Sequence, residues 1–173
     1  MTAADYLPQR FTLPALRESV QDCRGCELYR RATQAVLGEG DPRARVMFVG
    51  EQPGDEEDAV GRPFVGPAGR LLDRMLEAAG VPRAEVFVTN AVKHFKWIPR
   101  GKKRIHQKPG STEIEACRPW LEAELAIVKP EVLVLLGATA AQTLLGRAFK
   151  VTKARGVPFA TRFAPVTLAT VHP

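Results

Sequence analysis

The stretch KPEVLVLLGATAAQTLL, Lys129 to Leu145, decides the fold. Pro130 closes whatever helix arrives from its amino side. EVLVLL, Glu131 to Leu136, is then apolar at every position after the first and stops at Gly137. A strand without polar alternation must be covered on both faces, as in a parallel sheet. Ala138 to Leu145 reads as the helix that comes after it. Strand, glycine and helix in succession are the unit of a parallel sheet wrapped by helices.

The same unit recurs outward from this stretch. RVMFV (Arg45 to Val49) ends at Gly50, EVFVT spans Glu85 to Thr89, and PVTLATV spans Pro165 to Val171; each reads as a buried strand. Helical patterns cover Leu13 to Tyr29, Pro67 to Ala79 with Gly80 as closing glycine, and Ser111 to Val128. The last of these opens S-T-E-I-E, with capping-box character, and Pro130 stands just past its end. There is no internal repeat or low-complexity linker. A chain of 173 residues, 45% of them hydrophobic, can bury one good core, so residues 1–173 are expected to form one domain. The expected fold class is α/β, three layers (α/β/α) around a central four-stranded parallel sheet.

In such sheets ligands bind beyond the carboxyl ends of the strands. The first strand end carries GEQPGDEED, where Gly50, Pro53 and Gly54 form a tight turn and Glu51 can face a cleft. Asp55 to Asp58 also fit an acidic surface loop. Next, in GRPFVGPAGR, Phe64 is either a core plug or a stacking platform for a planar ligand. The glycines before Pro67 could seat a phosphate. The second strand leads to Asn90, whose amide either reads a donor–acceptor edge or caps a loop. The fourth leads to His172, a structural or a catalytic imidazole.

Net charge is +6. Lys96 to Gly110 alone contributes Lys96, Arg100, Lys102, Lys103, Arg104 and Lys108 with no acid, so the remainder sums to zero. This run is a solvated loop or a contact for a polyanion. No apolar run reaches membrane-spanning length and the amino terminus lacks a signal-peptide core. We therefore expect a soluble cytoplasmic monomer with no membrane partner. Three cysteines, Cys23, Cys26 and Cys117, argue against a disulfide framework. Three thiolates are one ligand short of a tetrahedral metal set or a cubane cluster.

GEQPG, PFVGPAGRLLDRML, VTNAVKH, ACRPWLEAEL, KPEVLVLLGATAA, VTKARG and a final VHP occur in that order. This series, from Cys23 to Pro173, resembles the iron–sulfur uracil-DNA glycosylases, and within them the UdgX type. Gln52 in GEQPG and the KKRIH loop mark that type. The resemblance implies a [4Fe–4S] cluster held by Cys23, Cys26, Cys117 and His94, which stands where relatives have a cysteine. Zinc in a Cys₃His site is the competing cofactor. It implies uracil-containing DNA, preferentially single-stranded, as partner, and uracil as product. Glu51 would stabilise a sugar cation or orient water, His172 would donate to a uracil carbonyl, and Gln52 would hold the loop or a water. Phe64, Asn90 and Gly50 would form the uracil pocket. Lys102, Lys103, Arg104 and Lys108 would contact DNA, with Arg104 positioning the loop or gripping the strand. The relatives continue past His-Pro, so either a further segment follows His172-Pro173 or the protein departs from them there.

His106 stands amid these cations, which disfavour a second positive charge and leave a ring lone pair free. In the UdgX type the matching histidine attacks the sugar after uracil departs and stays joined to it. The same is expected of His106. The alternatives are a conventional multi-turnover glycosylase, or a cluster-containing redox or non-catalytic nucleic-acid-binding protein.

Overall fold

The structure, a computed structural model, describes residues 2–173. Four parallel strands form the sheet: β1 (Val46–Gly50), β2 (Val86–Asn90), and, after the hairpin strands β3 (Trp97–Arg100) and β4 (Lys103–His106), β5 (Val132–Leu136) and β6 (Val166–Thr170). The order is β2-β1-β5-β6, with β1 and β5 in the centre. The helices are α1 (Leu13–Ser19), α2 (Asp55–Val60), α3 (Pro67–Ala78), α4 (Ser111–Val128), α5 (Ala138–Leu145) and the single turn α6 (Val151–Ala154). The α/β class with a four-stranded parallel sheet flanked by helices is as expected.

Alternation along each strand divides the core. Met47, Val49, Phe87, Leu133 and Leu135 pack with α1, α4 and α5 through Leu16, Leu121, Leu125 and Ala140. Val86, Val88 and Leu136 face the other way, onto Phe64 and onto Leu72 and Leu76 of α3. The strands are thus anchored through both faces, and the core holds the residues that leave their carboxyl ends. No helix among the described residues is long and apolar enough to cross a membrane.

One expectation needs correction, and two stretches left open take a definite form. The first helix ends at Ser19, not Tyr29, and gives way to two 3₁₀ turns, Val20–Asp22 and Glu27–Arg30. Cys23 is extended (φ −65°, ψ 120°), which breaks the helix and turns its thiol inward. The acidic stretch after Gly54 is helix α2, not a loop. Its four acids occupy the first turn, where a helix amino end favours negative charge. The basic stretch is an antiparallel hairpin pairing Trp97 with His106 and Arg100 with Lys103. Gly101 supplies the positive φ (59°) that so tight a turn requires.

Candidate active site

The carboxyl ends of β1 and β2 and the chain beyond β6 surround a cavity of about 300 Å³. Gln52, Phe64, Asn90, His106 and His172 line it. Gly50 is glycine because the walls approach so closely there: a Cβ at this position would meet Asn90 Oδ1 and stand 2.7 Å from Phe64 Cζ. Phe64 itself has φ 55°, a left-handed conformation that a bulky residue adopts only when its surroundings enforce it. Phe64 and Asn90 are both buried.

Glu57, on α2, ties the two loops of this wall together. Its Oε2 accepts the Gly54 N–H (3.0 Å) and its Oε1 the Gly66 N–H (2.7 Å). The amino end of α3, read from sequence as a seat for phosphate, is therefore occupied by the protein's own carboxylate.

Glu51 is mostly buried and turns one oxygen to each side. Oε2 accepts a short hydrogen bond from Thr139 Oγ1 at the start of α5. Oε1 lies 3.4 Å from His106 Nε2, and the imidazole is half exposed while the carboxylate is 19% exposed. The His106 ring nitrogen thus lies against a carboxylate. Thr139 was not singled out in the sequence. Its position just past the end of β5 was the available signal.

Gln52 sets the hairpin against this carboxylate. Its Nε2 donates to Lys96 O (3.2 Å) and Gln107 O (3.0 Å), and its Oε1 accepts the Lys96 N–H (3.0 Å). One buried amide therefore grips both strands at the base of the hairpin. Arg104 grips the other side. Its guanidinium pairs with Asp55 and Asp58, donates to Thr33 Oγ1 (3.3 Å), and lies over the Phe95 and Trp97 rings at 5.5 and 5.6 Å. Asp58, fully buried, also accepts from Thr33 N and Oγ1. Arg104 thus faces inward, unlike the other cations expected on DNA. Lys96 is also spent internally, 2.8 Å from Glu113. Of the six cations in this run, Arg100, Lys102, Lys103 and Lys108 remain exposed and without a carboxylate among the described residues.

Behind the cavity, Lys93 and Glu124 form a fully buried ion pair at 2.6 Å. Lys93 Nζ also donates to Thr89 Oγ1 and to Asn90 O (2.6 Å), and Glu124 accepts the Gly38 N–H. This pair fastens the end of β2, and so Asn90, to α4. Nothing in the sequence distinguished these two residues from surface charges.

The three cysteines occupy one region. Cys117 is buried and its thiol is pushed up to about 12, chiefly by burial, with small upward contributions from Cys26 and Cys23. Burial also raises Cys26. Trp120 Nε1–H donates to Cys23 Sγ and the Lys93 N–H to Cys117 Sγ, each at 3.2 Å. His94 is buried, and loss of solvent lowers its imidazole to about 4. Among the described residues, no three His, Cys, Asp or Glu side chains converge as a single metal ion would require.

A broader depression of about 700 Å³ lies near the amino end of β5, bounded by Glu122, Lys129 and Arg162. Glu122 is paired with Arg118 and Arg162, and no strand-end residue reaches this depression.

Comparison with known proteins shows the family. Residues 37–173 match the family model for the uracil DNA glycosylase superfamily. The chain is 38% identical to a type-4 uracil-DNA glycosylase of Sulfurisphaera tokodaii over 170 residues, covering 94% of this chain and 74% of the relative. It is 39% identical to that of Thermotoga maritima over 157 residues, covering 90% and 78%. A type-5 uracil-DNA glycosylase of Thermus thermophilus is 35% identical over 126 residues, covering 64% and 53%. The matched span takes in every strand and every residue lining the cavity, and with that the chain belongs to the uracil DNA glycosylase superfamily.

Proposed function

We propose that this protein excises uracil from DNA, with single-stranded DNA preferred, and then captures the sugar on His106. The observation that carries the reading is the 3.4 Å approach of His106 Nε2 to Glu51 Oε1 at the cavity that Phe64, Asn90 and His172 line. The relatives' names, type-4 uracil-DNA glycosylases, support the first half.

The base leaves the stack and enters the cavity. Phe64 stacks on its face and the Asn90 amide reads its edge. The C1′–N1 bond breaks with its electron pair leaving on uracil N1, while positive charge builds on the sugar. Glu51 stabilises that charge, and Thr139 holds the carboxylate in place. His172 donates a hydrogen bond to a uracil carbonyl as negative charge grows there. The lone pair of His106 Nε2 then forms a bond to C1′, which gives an N-alkylated imidazolium and free uracil. The product is a cationic N-linked imidazolium beside the Glu51 carboxylate, which stabilises its charge, so the adduct persists.

Cys23, Cys26, Cys117 and His94 would hold a [4Fe–4S] cluster, which would tie the amino-terminal segment to α4 and to the loop after β2. Two of the sulfurs already receive N–H donors. Zinc in a Cys₃His site is the competing occupant of the same residues.

The test is a denaturing gel after incubation with uracil-containing single-stranded DNA. A slow-migrating species formed by the wild type and lost in His106→Ser supports the reading. Free abasic product alone, from both proteins, refutes the capture step and leaves a conventional glycosylase.

A further inference from the structure

The nineteen acids of this chain end at Glu131; residues 132–173 hold Arg147, Lys150, Lys153, Arg155 and Arg162 and no carboxylate. Several surface cations elsewhere are matched, Arg45 with Glu131, Arg62 with Glu39, Arg70 with Glu56 and Arg83 with Asp73, while Arg24, Arg31, Arg74 and Lys129 are not matched among the described residues. Arg147, Lys150, Lys153 and Arg155 have no carboxylate partner among the described residues.

Arg147 lies just past the end of α5, two turns from Thr139, which holds Glu51. A cavity of about 240 Å³ runs beside α5, with Thr139 and Arg147 on one wall and Lys108 and Ser111 on the other. Gln142 and Thr143 also line it, but they are spent on backbone carbonyls of Phe149 and Thr139. Among the described residues, the two cations and the Ser111 hydroxyl have no protein partner. Glu115 is the one carboxylate on the rim. From Arg147 the chain returns to the rim of the site. α6 packs on β6, and Arg155 bridges to Ala169, one residue before the last of β6.

We propose that Arg147, facing Lys108 across this cavity, is a contact site for the phosphodiester backbone of single-stranded DNA, continued along α6 by Lys150, Lys153 and Arg155. It lies on the far side of Glu51 from the hairpin turn, so the strand would be held on both sides of the nucleotide drawn into the cavity. The proposal rests on the reading that DNA is the substrate. An arginine suits the role because its planar fork meets phosphate oxygens two at a time.

The test uses a fluorescent single-stranded oligonucleotide without uracil, so no chemistry enters. Its affinity is measured by anisotropy over a range of KCl concentrations. Each phosphate contact on single-stranded DNA contributes about 0.7 to the slope of log K against log salt. Arg147→Ala is expected to flatten the slope by about 0.7, Arg147→Lys to restore most of it, and Lys129→Asn, at the opposite end of the sheet, to leave it as in the wild type. A slope unchanged in Arg147→Ala, or equally flattened in Lys129→Asn, overturns the proposal. Uracil release by the wild type is assayed separately on uracil-containing DNA. If that fails while the Arg147 slope shifts as stated, the glycosylase reading falls and this contact stands.

Discussion

Replacing Gln52 by alanine separates the two halves of the proposed reaction. The side chain makes three hydrogen bonds to the hairpin base: Lys96 O at 3.2 Å, Gln107 O at 3.0 Å and Lys96 N at 3.0 Å. A neutral hydrogen bond contributes about 1 kcal/mol net, so the three together set an upper bound of roughly 3 kcal/mol. Two features lower that figure. Arg104 still anchors the hairpin to α2, and the Gln107 N–H to Lys96 O bond (2.9 Å) still closes its base. About 2 kcal/mol then remains against the conformation that brings His106 to Glu51, which corresponds to a roughly 30-fold slower capture step.

The assay is single-turnover kinetics on one uracil-containing oligonucleotide, with released uracil and covalent adduct quantified from the same time points. Adduct formation is expected to slow by about 30-fold in Gln52→Ala, while uracil release, proposed to rest on Glu51, Asn90 and Phe64, is expected to fall by less than about fivefold. Gln52→Glu is the sharper variant. It keeps an acceptor for the Lys96 N–H but sets an oxygen against two carbonyl oxygens, so capture should slow at least as much. An unchanged ratio of adduct to released uracil in both variants would refute the argument that Gln52 acts through the hairpin.

The same geometry sets three further outcomes. Arg104→Met leaves Asp58 fully buried without its cation; an unpaired buried charge costs several kcal/mol, so the melting temperature should fall by about 10 °C. A melt within about 2 °C of wild type would show that Thr33 alone satisfies Asp58. Lys93→Met strands Glu124 in the same way and should lower the melting temperature by a similar amount, whereas Lys93→Met with Glu124→Leu should recover much of the loss. Failure of the double variant to recover would mean that the bonds to Asn90 O and Gly38 N, not the uncompensated charge, dominate. Gly50→Ala drives a methyl group into the Phe64 ring and Asn90 Oδ1 and should reduce uracil release at least about 100-fold with a smaller change in melting temperature. Near-normal release would mean that the two walls can separate.

The strands were legible because their signals are local. Each is a continuous apolar run closed by glycine or proline, or bounded by a polar strand end, and the observed limits fall within one residue of the expected ones. The placing of Glu51, Asn90 and His172 just past strand ends was legible for a related reason, since a buried strand fixes the direction in which the chain emerges from its end. The hairpin was not. Lys102, Lys103 and Arg104 offer no alternation of apolar side chains, and the groups that hold their strand, Gln52, Asp55 and Asp58, lie about fifty residues away in sequence. Of the readings left open for the acidic stretch, the surface loop does not hold: four adjacent acids suggest solvent, whereas here they begin a helix and two of them, Glu57 and Asp58, are buried. The total charge also concealed its distribution. Outside Lys96 to Gly110 the sum is zero, yet the acids all lie before residue 132.

That distribution has a physical origin. Around the strand ends the carboxylates are consumed as fasteners. Glu57 joins Gly54 to Gly66, Asp58 joins Thr33 to Arg104, Glu124 joins Gly38 to Lys93, and Glu51 is held by Thr139. A carboxylate suits such work because its two oxygens can accept from two different loops at once, and bonds to an ionised acceptor are roughly twice as strong as neutral ones. With these acids inside, Arg100, Lys102, Lys103, Lys108 and Arg147 have no carboxylate in ion-pair contact among the described residues, and Glu115 is the one acid lining the cavity that Lys108 and Arg147 share. The rigidity of the pocket and the positive field around it therefore share one cause. A variant that exposes any of these carboxylates should weaken DNA association as well as stability, because it returns negative charge to the surface proposed to carry the phosphates.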